Sequence, residues 1–124
     1  MPIVFVISDN WMLRTGVRAE LRERGIEATG IDSAREAVRR IDGGERPAVL
    51  VIDAGSGAGN VPGVDVAGED AAIGRLLESG VAAILISSRT VRSPPWKPEV
   101  LLPRPVRVGE ITVAVLRPLK GYGV

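Results

Sequence analysis

Between Pro47 and Gly55 the chain reads PAVLVIDAG, an unbroken apolar run that stops at one carboxylate, Asp53, and opens into glycine. Val49, Leu50, Val51 and Ile52 show no polar alternation, so neither side of the segment suits water. A strand of that kind belongs at the centre of a parallel sheet, where helices cover both faces. In such sheets ligands gather outside the carboxyl ends of the strands, which is where Asp53 stands. An aspartate there can also cap its loop by bonding nearby backbone, so position alone leaves both roles open.

The flanking sequence supplies the helices. Ile3 to Ser8 is a β-rich run ending at Asp9-Asn10, and Asn10 suits a helix N-cap. Leu13, Val17 and Leu21 recur every four residues, with Arg14, Arg18, Arg22 and Glu23 on the other face, predicting an amphipathic helix that ends at Gly25. Ile26 to Ile31 is a short strand. Ser33 and Glu36 form an S-x-x-E capping box for a helix through Ala37, Val38 and Ile41, stopped by Gly43-Gly44. After Asp53 comes a long glycine-rich loop without periodicity. Glu69 and Asp70 suit a helix start, Ile73, Leu76 and Leu77 its buried stripe, and Gly80 its stop.

Val81 to Ile86 is a second all-apolar strand, delivering Ser87 and Ser88 to the same edge as Asp53. Arg89 to Pro98, RTVRSPPWKP, is expected to be irregular because proline removes a donor and pushes its predecessor out of the α region. Val100 to Leu102 resumes a strand before Pro103-Arg104-Pro105. A last helix is expected over Gly109 to Leu116, with Ile111, Ala114 and Val115 inward. The alternation predicts one α/β domain over residues 1–124, a three-layer sandwich whose parallel sheet has the order 2-1-3-4-5.

Composition narrows the chemistry. The 124 residues contain no cysteine and no histidine, which excludes disulfides, thiolate or imidazole metal sites and phosphohistidine. Any metal would be a hard cation held by oxygen. With 16 basic and 15 acidic residues the net charge is +1, and no footprint for nucleic acid or an anionic membrane follows from it. The amino-terminal apolar run is too short to span a bilayer and lacks a basic flank, which implies a cytoplasmic protein. Gly55 to Gly59 fails as a dinucleotide loop because Asn60 stands at the third glycine, and Gly63 to Asp70 fails as a phosphate loop because Glu69 and Asp70 would repel the ligand. Trp11 and Trp96, if exposed together, would mark a partner surface.

An acid after the first strand (Asp9), an aspartate ending the third (Asp53), a small hydroxyl residue ending the fourth (Ser87) and a basic residue followed by proline after the fifth (Arg104-Pro105) stand in the order seen in a known family. The chain resembles the receiver domain of bacterial response regulators, an atypical member, with a flavodoxin-like fold. The resemblance implies Asp53 as acceptor of a phosphoryl group from a histidine kinase or phosphotransfer protein. It implies magnesium between Asp9, Asp53 and the backbone carbonyl of Gly55, with Ser87 and Arg104 on phosphoryl oxygens, and an effector domain or protein as output partner. Direct contact with nucleic acid or membrane, and enzymatic activity beyond self-phosphorylation at Asp53, are not expected.

The departures point elsewhere. The usual pair of acids after strand one is read here as Asp9-Asn10, so one group orienting magnesium is neutral and binding should be weak. Arg104 replaces a lysine, and its planar fork differs from a compact ammonium. Leu101 falls where an aromatic switch is expected, and the fourth helix is expected to be reduced or lost around Trp96. These favour an alternative, a phosphorylation-independent pseudo-receiver acting as a protein-interaction module. A small-molecule-binding flavodoxin-like domain stands behind both.

Overall fold

A computed structural model describes residues 3–54, 66–87, 100–103 and 106–122. The described elements run in the order β1 (Ile3–Ile7), α1 (Trp11–Glu23), β2 (Glu27–Ile31), α2 (Ala34–Asp42), β3 (Val49–Ala54), α3 (Val66–Glu78), β4 (Ala82–Ser87), β5 (Val100–Pro103) and α4 (Val108–Leu119), followed by a 3₁₀ turn at Lys120–Tyr122. All strand pairings are parallel, and the sheet order is β2-β1-β3-β4-β5. The expected three-layer architecture and strand order are therefore present. The proline-rich stretch and the expected loss of a helix there lie outside the described residues.

The apolar runs are buried on both sides because alternate residues feed different layers. Val4, Val6, Val49, Val51, Ile84 and Ile86 pack with Val17 and Leu21 of α1 and with Ile111, Ala114, Val115 and Leu119 of α4. Phe5, Ile7, Leu50, Ile52, Ala83 and Leu85 pack instead with Ala34 and Ala37 of α2 and with Ala72, Ile73 and Leu76 of α3. A strand's period of two thus divides one apolar run between two cores. Gly25, Gly44 and Gly80 end the first three helices at φ of 74°, 110° and 83°, where a side chain would be strained.

Three expectations are corrected in detail. α3 begins at Val66, three residues before the expected Glu69. The Glu69 carboxylate reaches across to α2, accepting from Ala34 N at 2.7 Å and Arg35 N at 3.3 Å. Ser33 accepts from Glu36 N at 3.1 Å, so one half of the expected box forms, while the Glu36 carboxylate pairs with Arg39 at 3.1 Å. The last helix is longer than expected, running through Pro118 to a buried Leu119. The buried hydroxyl of Thr112 is satisfied by donating to Val108 O at 3.0 Å, which is how this β-branched residue is accommodated in the helix.

Candidate functional site

The carboxyl edge of β1 and β3 is built by register. Ile7 pairs with Ile52, so one residue further on Ser8 lies opposite Asp53. Parity then points both side chains to the α1/α4 face, the face that takes Val6 and Val51. They meet there: Ser8 Oγ donates to Asp53 Oδ2 at 2.5 Å. Asp53 Oδ1 is also buried, and Asp53 as a whole is half-buried at the mouth of the central strand.

Ser8 is held from every side. It is 2% exposed, its N–H donates to Ile31 O at 2.9 Å, and its carbonyl accepts from an Arg14 guanidinium nitrogen on α1. Its Oγ accepts from Asn10 N at 3.0 Å. A serine hydroxyl carries one proton, and with the Asn10 N–H on an oxygen lone pair that proton is directed to Asp53. The result is a charge-assisted bond from a fixed donor to a carboxylate.

Asn10 does something else. Its side-chain oxygen accepts from Met12 N at 3.0 Å and Leu13 N at 3.3 Å, so it is spent on the N-terminus of α1. This corrects the reading of Asp9-Asn10 as the pair that faces Asp53. The two positions closing β1 are Ser8 and Asp9, and the neutral group turned to Asp53 is a serine. Sequence inspection missed Ser8 because it closes an apolar run and looks like the strand's last residue. The available signal was that Asn10, as an N-cap, could not serve twice.

The other expected residues are placed as follows. Asp9 is exposed at the end of β1, next to the start of α1. Ser87 closes β4 opposite Ala54, one step beyond the pair Asp53 and Ile86, and Leu101 of β5 lies opposite Leu85. Asp9, Asp53 and Ser87 therefore share one sheet edge. Gly55, Arg104 and Trp96 lie outside the described residues, whereas Trp11 is 65% exposed beside Met12 at 68%.

Magnesium, implied by the resemblance, fits these residues poorly. Among the described residues no group of three or more acids is placed to hold a metal ion. One carboxylate oxygen of Asp53 already accepts a protein hydroxyl whose hydrogen would point at an incoming cation. Also among the described residues, no helix is long and apolar enough to cross a membrane.

No protein-family model matches this sequence, and no curated protein does. Solved structures are similar. The receiver domain of a Francisella response regulator superposes with a TM-score of 0.74 at 20% identity, covering 98% of this chain and 99% of that one. A response regulator receiver protein from Burkholderia phymatum gives 0.72 at 21% identity, covering 97% and 96%. A CheY-like receiver domain protein from Methanospirillum hungatei gives 0.73 at 14% identity, covering 99% and 97%. The chain has the receiver fold.

Proposed function

We propose that this receiver-fold chain is a signalling domain of the two-component type, with Asp53 as its candidate phosphoacceptor. Upstream its partner would be a histidine kinase or phosphotransfer protein, and downstream an effector domain or protein. The observation that carries this reading is the position of Asp53 at the carboxyl end of the central strand, on the edge shared with Asp9 and Ser87. A carboxylate there can attack the phosphorus of a donor and expel the donor's leaving group, forming an acyl phosphate on Asp53. Ser87 and Arg104 are the candidate partners of the phosphoryl oxygens. Beyond accepting that group, no reaction is proposed for the domain.

The test is intact-mass measurement after incubation with an acyl phosphate and magnesium. One added phosphoryl group on wild type, absent in Asp53→Ala, supports the reading. A second reading, the phosphorylation-independent pseudo-receiver, is favoured by the hydrogen bond from Ser8 to Asp53. It expects an unchanged mass and a downstream partner that binds wild type and Asp53→Ala alike.

A further inference from the structure

We propose that Ser8 is a positioning residue that clasps one oxygen of the Asp53 carboxylate, placing a hydroxyl donor where a cation would otherwise approach. The proposal rests on the receiver reading for the significance of Asp53 and deepens it, but the clasp can be tested whether or not Asp53 is ever phosphorylated. Three observations converge on it. Ser8 Oγ lies 2.5 Å from Asp53 Oδ2, joining residues 45 apart in sequence. The Asn10 N–H, 3.0 Å from the same Oγ, takes a lone pair and leaves the hydroxyl proton for the carboxylate. The Ser8 backbone is pinned by Ile31 O on one side and Arg14 on the other, so the residue that carries the donor is fixed at the mouth of β3.

Consequences for charge follow directly. A hydroxyl donor stabilises the carboxylate oxygen it faces in the absence of metal, and its positive end repels a cation approaching that oxygen. An acid at position 8 would invert both effects. Two carboxylates so close would repel each other without a cation and attract one when it is present. Ser8 thereby converts a place suited to cation-dependent chemistry into an internal tie between the ends of β1 and β3. It also engages one of the two oxygens from which Asp53 would attack a phosphoryl donor.

The experiment is a set of thermal unfolding curves on the whole domain for wild type, Ser8→Ala, Asp53→Ala, the double alanine variant and Ser8→Asp, each with and without magnesium chloride. The clasp requires that both single alanine variants melt below wild type and that the double variant lose less than the sum of the two single losses, because the bond they share is removed only once. It also requires that wild type be unmoved by magnesium at concentrations that raise the midpoint of Ser8→Asp, corresponding to an affinity at least about tenfold tighter in that variant. Additive losses in the alanine series, or a wild-type midpoint that rises with magnesium as much as that of Ser8→Asp, would overturn the proposal. Should Ser8→Asp not fold, the alanine series decides alone. Absence of phosphoryl labelling in every variant would count against the receiver reading and leave these melting curves as they stand.

Discussion

At Asn10 and Ser8, two residues apart, similar small polar groups have separate duties, and substitution distinguishes them. Asn10 accepts two backbone N–H groups of α1, so Asn10→Ala is expected to cost about 1 kcal/mol, as removal of an N-cap does. The change should appear as a lower urea midpoint at constant slope. Asn10→Asp keeps the cap and adds a charge favourable to the helix dipole, and its stability is expected to stay within about 0.5 kcal/mol of wild type. Neither variant is expected to alter the response to magnesium in a titration followed by unfolding midpoint. A strong gain in magnesium binding by Asn10→Asp would mean that position 10, and not position 8, faces Asp53.

Among the elements, α2 and α3 are joined by the Glu69 carboxylate, which satisfies the first N–H groups of α2 from a helix 35 residues away. Glu69→Ala removes the acceptor of Ala34 N and Arg35 N at the start of α2, where Ala34 is buried, and a loss of about 1.5–3 kcal/mol is expected, typical of hydrogen bonds to a charged group. Faster amide exchange confined to the first turn of α2 would locate the effect. By contrast the exposed pairs Arg24–Glu20 and Arg39–Glu36 each contribute at most about 0.5 kcal/mol, so Glu20→Gln is expected to be nearly silent in the same denaturation assay. The contrast also explains what could be read from the sequence. Runs such as IVFVI and VLVI, the cap at Asn10, the Ser33 half of the box and the stops at Gly25 and Gly44 are local, and local chemistry decided them. Glu69 looks locally like a helix start because its partners are remote, and the role of Ser8 is not legible in the sequence because it depends on the register of β1 against β3.

For the whole molecule the decisive fact is that one central strand serves two cores. Leu50 and Val51 are neighbours in β3, both nearly inaccessible, yet Leu50 packs with Ile73 and Leu76 while Val51 packs with Val17 and Val115. Leu50→Ala removes three carbons from the α2/α3 layer, for which about 2–5 kcal/mol is expected, with the upper part of that range reached if the layer cannot collapse. Val51→Ala removes two from the α1/α4 layer, about 1.6 kcal/mol from transfer alone and more once the cavity is included. Against a total stability of roughly 5–15 kcal/mol for a domain, either single variant should still fold. Hydrogen exchange should then separate the layers: Leu50→Ala is expected to weaken protection first in α2 and α3, and Val51→Ala first in α1 and α4. The site at the sheet edge belongs to the second layer, since Ser8 and Asp53 point to the α1/α4 face and α1 supplies Arg14 to the Ser8 carbonyl. Val51→Ala is therefore expected to diminish the coupling between Ser8 and Asp53 in the alanine series, and Leu50→Ala to leave it intact despite the larger loss of stability. Equal effects of the two variants on that coupling, or the reverse order, would show that the edge is held by the sheet as a whole and not by the layer it faces.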